Sequence, residues 1–186
     1  DAAWNATVDL GLPANYLGEG MIIGVIDTGI SPANASFADV GDDGYDHTNP
    51  LGAGNYLGEC DGLDPGVQIC NDKLIGIWDF LAAGDGGIDY DGHGSHTSST
   101  SGGNFVDGVD IGTGDQFDIS GGAPHANLIS YLGCCSVSGL TNSIDQAIDD
   151  GVDVINYSIG SASPSALWDD FDSIGSDATA DAALVS

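Results

Sequence analysis

The chain has 186 residues, 41% of them hydrophobic, and sets 29 acidic side chains against a single lysine, for a formal net charge of −28. That length can bury a core as one domain, and so much apolar sequence argues against disorder. So negative a surface repels nucleic acid and anionic lipid, which excludes both as partners, and no apolar run is long enough to span a bilayer.

Residues 1–20 read as a short helix and loop, interrupted by Pro13. The chain opens without a basic, apolar leader, so any signal peptide or pro-segment is expected to have been removed. Met21 to Ile26 is a continuous apolar run that ends in Asp27-Thr28-Gly29. It reads as a strand buried on both faces, as in a parallel sheet. Ligands gather beyond the carboxyl ends of such strands, and Asp27 stands there. Taken alone, Asp27 reads as a turn or cap residue.

Residues 31–72 are rich in Gly, Asp, Asn and Pro and predict a long acidic loop. Clustered aspartates suit calcium. No ordered calcium-loop spacing occurs, so solvated acid is the preferred reading. Cys60 and Cys70 flank a Gly/Asp/Pro-rich stretch, a natural place for a staple outside the cytosol. Residues 73–80 read as a strand. Lys73 is the only basic side chain apart from histidines and is a candidate for an internal ion pair.

Asp91-Gly92-His93-Gly94-Ser95-His96-Thr97 follows, then a run of small residues through Gly103. Glycines beside His93 let another segment approach closely. The spacing predicts a helix from about His93 to Gly102, packed tightly under something. A histidine at its head is held yet accessible, which suits proton transfer near neutral pH. His93 and His96 are three apart and can share a helix face, as metal ligands do. His47 and His125 sit in loop-like contexts without a catalytic part.

Residues 104–120 read as an acidic loop or small hairpin, and 127–133 as a core strand. Leu140, Ile144, Ala147 and Ile148 have helical spacing, with Thr141 or Asn142 near the start and Gly151 as the stop. Residues 152–158 read as a strand, 165–182 as holding a helix, and 183–186 as a further strand. Strands alternating with helices predict an α/β domain with a parallel sheet. The four cysteines allow three pairings. Adjacent Cys134 and Cys135 are not expected to bond each other, and no Cys-x-x-Cys spacing favours zinc.

Val25-Ile26-Asp27-Thr28-Gly29 and Asp91-Gly92-His93-Gly94-Ser95-His96 resemble the aspartate and histidine motifs of the subtilisin-like serine peptidases. They occur in the family's order. Gly122-Ala123-Pro124-His125-Ala126 resembles the family's Gly-Val-Ala-Pro-x-Ala segment. Val152 to Gly160 resembles the strand that walls its substrate pocket. Cys70-Asn71-Asp72-Lys73-Leu74-Ile75-Gly76 narrows the resemblance to the cucumisin-like branch. The resemblance implies a three-layer subtilisin-like fold with a mostly parallel central sheet, incomplete in this chain. It implies a secreted endopeptidase acting on proteins or peptides, with Asp27 and His93 as two members of an Asp-His-Ser triad. Ser158, Ile159 and Gly160 would line the specificity pocket through backbone atoms. Residues 134–139 would present an edge strand to the substrate. The resemblance also supports a Cys60–Cys70 disulfide and favours a structural hydrogen bond at His96 over a metal. Asn156, on a core strand, is expected to satisfy buried backbone groups rather than to serve as the oxyanion donor, which the family carries further along the chain. No cofactor is required, and structural calcium stays open. The family's Gly-Thr-Ser-Met-Ala nucleophile segment has no counterpart in residues 1–186. The chain is therefore expected to be the N-terminal portion of a catalytic domain, with the remaining C-terminal part as its partner. The competing reading is a non-catalytic subtilase-scaffold fragment or pseudoenzyme that binds peptides. The charge would fit a salt-tolerant, extracellular setting.

Overall fold

A computed structural model describes Trp4 and residues 16–60, 67–81 and 85–160. The helix expected within 165–182, the strand at 183–186 and most of the expected 1–20 segment lie outside the described residues.

In chain order the elements are β1 (Ile22–Asp27), a 3-10 turn (Ala35–Phe37), β2 (Leu57–Gly58), β3 (Leu74–Asp79) and α1 (His93–Gly102). Then come β4 (Val106–Asp110), β5 (Gln116–Ile119), β6 (Asn127–Leu132), α2 (Val137–Asp150) and β7 (Val154–Tyr157). Five strands form one parallel sheet in the order β2-β3-β6-β1-β7. β4 and β5 form a separate antiparallel hairpin. The sheet is that of an α/β fold, as the alternation of elements predicts. Among the described residues, no helix is long and apolar enough to cross a membrane.

Every residue of β1 is buried, because it lies inside the sheet between β6 and β7 and is covered on both faces. Successive side chains go to opposite faces. Ile22 and Ile26 join Ile129, Tyr131 and Ile155 under Leu140, Ile144 and Ala147 of α2. Ile23 and Val25 join Leu74, Ile77, Leu128 and Phe37 on the other face. Each Val, Leu, Ile or Phe side chain among them contributes about 1.5–3 kcal/mol when fully buried. α1 lies on this second face. A Cβ at Gly102 would come within 2.9 Å of Leu128 and 3.2 Å of Ile23, so only a small residue lets the helix settle there. The sheet thus lies between two helical layers.

α2 begins three residues before the expected Leu140. Ser136 caps it by accepting from the amide of Gly139 at 3.0 Å, and Gly151 ends it with φ of 71°. Apolar spacing cannot register a polar cap. The same start corrects the expected edge strand at 134–139. β6 ends at Leu132, Cys134 and Cys135 form a turn, and α2 takes over at Val137. A Cβ at Gly139 would lie 2.6 Å from the carbonyl oxygen of Gly133, so the helix closes directly onto the strand end.

Cys60 and Cys70 are joined, with sulfurs 1.98 Å and Cα atoms 5.1 Å apart, and both are buried in the second core face. Cys134 and Cys135 are joined to each other across a cis peptide bond, with Cα atoms 2.9 Å apart, against the expectation that they would not pair.

Lys73 is fully buried, and its ammonium donates to the carbonyls of Pro124 at 2.7 Å and Ala126 at 2.6 Å. No carboxylate of the described residues pairs with it, which corrects the expected ion pair. The Gly122–Ala126 segment therefore acts as an acceptor for the one lysine. Burial pushes its pKa down to about 7, with Asp43 opposing. The folded value lies below the ordinary 10.5, so the cost of burying the charge is present in full below pH 7. It disappears as pH rises to 10.5, and Lys73 makes stability climb across that window. Lysine-selective NMR should show a side-chain resonance, absent from Lys73→Met, that titrates near neutrality. Titration at the ordinary lysine value would contradict this.

Candidate functional site

Asp27 is the last residue of β1, and His93 is the first of α1. The parallel register puts Asp27 beside Leu132 of β6, and Ile26 beside Tyr157 of β7. Asp27 thus stands at the carboxyl edge of the sheet, where chain segments leave the strands. The carbonyl oxygen of Asp27 accepts from the amides of Gly133 and Cys134, both at 3.1 Å, which fixes its backbone.

His93 Nδ1 lies 2.8 Å from Asp27 Oδ1. The Asp27 side chain is 1% exposed and that of His93 49% exposed, so a dry carboxylate meets a ring open to solvent. Oδ1 also accepts from the amide of Thr28 at 2.7 Å. Oδ2 accepts from the hydroxyl of Thr97 at 2.9 Å, one helical turn beyond His93. The carboxylate is thereby held in one orientation. Its hydrogen bond and charge raise the His93 pKa above the ordinary imidazole value, with Asp91 and Asp89 adding to the effect.

The local sequence explains why the two segments meet. Gly29 has φ of 106°, a backbone turn that favours glycine. A Cβ at Gly94 would run into the carbonyl oxygen of Gly29. Only glycine at position 94 lets the head of α1 lie against the turn after β1.

Ser158, Ile159 and Gly160 follow β7 beyond the same edge of the sheet as Asp27; Ser158 and Gly160 are exposed, Ile159 half-buried. The Ser158 hydroxyl donates to Asn156 Oδ1 at 2.7 Å, and Asn156 Nδ2 donates to Ser101 Oγ at 2.6 Å. Asn156 therefore links β7 to α1 through side chains, and not to buried backbone groups as expected. His96 is exposed and its ring has no hydrogen bond among the described residues, which replaces the expected structural one. Among the described residues, no three His, Cys, Asp or Glu side chains are grouped to hold a metal ion.

The Subtilase family model matches residues 18–185. The chain belongs to the subtilase family. Among its relatives, Subtilisin-like protease SBT4.12 of Arabidopsis thaliana is 41% identical over 162 residues, which cover 83% of this chain and 20% of the relative. Subtilisin-like protease Glyma18g48580 of Glycine max is 39% identical over 163 residues, covering 77% of this chain and 20% of the relative. The chain spans about a fifth of the length of these curated relatives. A chain in the structure of the periplasmic assembly from the ESX-5 inner membrane complex matches with a TM-score of 0.51 at 19% identity. That match covers 88% of this chain and 38% of the other, and it shows the shared fold alone.

Reading the sequence singled out Asp27 and His93 of this subtilase and passed over Thr97, Thr28 and Asp89. Thr97 had a signal, a hydroxyl four residues after His93 and so on the same helix face. Replacing it by valine keeps the shape and leaves Asp27 Oδ2 without that donor. The expected loss of stability is about 1–3 kcal/mol, from a buried acceptor left unpaired. Denaturant unfolding of Thr97→Val against Thr97→Ser checks this. Equal midpoints for the two would contradict it.

Proposed function

We propose that the chain supplies the acid and base of a secreted serine endopeptidase of the cucumisin-like branch, hydrolysing peptide bonds in protein substrates. The observation that carries this reading is the 2.8 Å contact between buried Asp27 and half-exposed His93.

The chemistry follows from that contact. Asp27 accepts from Nδ1, so the neutral ring carries its proton there and keeps the Nε2 lone pair for the hydroxyl of a nucleophilic serine. His93 takes the proton of a serine as it attacks the carbonyl carbon, and Asp27 stabilises the imidazolium. The same proton then passes to the leaving amine. Water repeats the cycle to free the acyl group. Ser158, Ile159 and Gly160 line the primary specificity pocket through their backbone. The nucleophile is a serine outside residues 1–186, since no segment here matches the family's serine motif. Ser95, the serine two residues from His93, is no substitute. Its hydroxyl donates to Asp89 at 2.7 Å and accepts from the amide of Ser31 at 3.1 Å. The Cys60–Cys70 disulfide supports an oxidising, extracellular setting. The relatives' common description as subtilisin-like proteases supports the reaction class.

In the complete protein a fluorophosphonate should label one serine outside residues 1–186, and His93→Ala should remove that labelling. The 186-residue chain alone should neither be labelled nor cleave casein. Labelling that survives His93→Ala would sink the assignment of His93 as general base. An unlabelled complete protein would favour a peptide-binding scaffold instead.

A further inference from the structure

Asp89 is a buried residue, 8% exposed, and its carboxylate accepts five hydrogen bonds. Oδ1 accepts from the Thr28 hydroxyl at 3.0 Å, the amide of Asp91 at 3.1 Å and that of Gly92 at 2.8 Å. Oδ2 accepts from the amide and hydroxyl of Ser95, at 2.8 and 2.7 Å. Gly92 and Ser95 flank His93, and Thr28 follows Asp27. The bonds run on past Asp89. The Thr28 hydroxyl accepts from the amide of Gly94 at 2.8 Å, and the Ser95 hydroxyl from that of Ser31 at 3.1 Å. The amide of Asp89 itself donates to the carbonyl of Ile30 at 3.0 Å.

The cap residue of α1, Gly92, has no side chain to satisfy the helix's first amides. Asp89 reaches forward to do so, and a negative charge is favoured at that end of a helix. Burial opposes the ionised form, yet the bonds from Ser95, Gly92 and Thr28 outweigh it and hold the carboxyl below its ordinary value.

We propose that Asp89 is the positioning residue of the Asp27–His93 pair, fastening the Thr28 turn to the first turn of α1 and so setting where the His93 ring sits. The proposal rests on His93 being the general base. A side chain that merely stabilises the fold would change how much enzyme is active. A positioning residue changes how fast each active molecule works.

Asp89→Asn tests this in the complete protein. The amide keeps the carboxylate's shape, but its nitrogen only donates, so whichever way it turns, one set of bonded donors meets another donor. The charges acting on His93 are Asp27, Asp91 and Asp89. Asp91→Asn removes one charge of the same sign, while the Asp91 contribution to the network is its backbone amide alone. Peptide kinetics are measured across pH, with active sites counted by fluorophosphonate. In Asp89→Asn, kcat per labelled site should fall about 10- to 100-fold, with KM within about twofold of wild type. The acid limb should also move to lower pH, since one charge that raises His93 is gone. Asp91→Asn should move the limb the same way and keep the plateau. If Asp89→Asn fails to fold, Thr28→Val should lower the plateau and Thr28→Ser, which keeps the hydroxyl, should recover most of that loss. An unchanged kcat per labelled site, or a fall confined to the number of labelled sites, would overturn the proposal; so would a Thr28→Ser no faster than Thr28→Val. Labelling that survives His93→Ala would instead overturn the reading beneath it.

Discussion

The amide of Gly94 donates to the Thr28 hydroxyl at 2.8 Å, and position 94 has no room for a Cβ against the carbonyl of Gly29. This close approach of helix head to strand end sets up the site. β1 fixes Asp27 because its neighbours β6 and β7 hold it in register on both sides. α1 fixes His93 because small residues let it lie flat on the sheet, down to Gly102 against Leu128 and Ile23. Chemistry and packing therefore depend on the same glycines. A larger residue at Gly94 would meet the backbone of Gly29 and Thr28 and displace His93 from Asp27 before it disturbed any core side chain.

The charge distribution follows a related logic. The one lysine lies inside, bonded to two carbonyls. His125 lies between Glu19 and Asp43, 2.8 Å from each, and stacks on Tyr45 with ring centroids 3.7 Å apart. His47 is buried against the carbonyls of Asp39 and Pro124. Burial and nearby Lys73 hold its pKa below the ordinary value. Most of the few basic side chains thus serve loops around the Gly122–Ala126 segment, and the surface is left to acid. Repulsion among those acids is long-ranged at low ionic strength and screened within about 10 Å at 0.1 M salt.

Much of the fold was legible where a local signal was strong; the 3-10 turn and the two-residue β2 inside the Gly/Asp-rich stretch 31–72 carried none and read as loop. The apolar run before Asp27 gave β1, and glycines around His93 with a small-residue run gave the bounds of α1. Apolar spacing gave α2 but missed its start, since Ser136 contributes a polar cap. The pair at the centre of the site was legible because aspartate and histidine each sat in a distinctive local context. Asp89, Thr28 and Thr97 were not. Their bonds span 61 to 70 residues of sequence for Thr28–Asp89 and Thr97–Asp27, and a polar residue gains such a partner only when the segments meet. Lys73 misled for the opposite reason. A lone base among acids invites an ion pair, but backbone carbonyls reached it first.

Proton transfer by the Asp27–His93 pair depends on which nitrogen of His93 holds the proton. Nitrogen-15 histidine NMR of the protein, taken well above the imidazole pKa and assigned with His93→Ala, reads this directly. A proton on Nδ1, shifted far downfield by its bond to Asp27, with Nε2 bare, is the predicted result. A neutral His93 that carries its proton on Nε2 would contradict the account, because no lone pair would then face a serine.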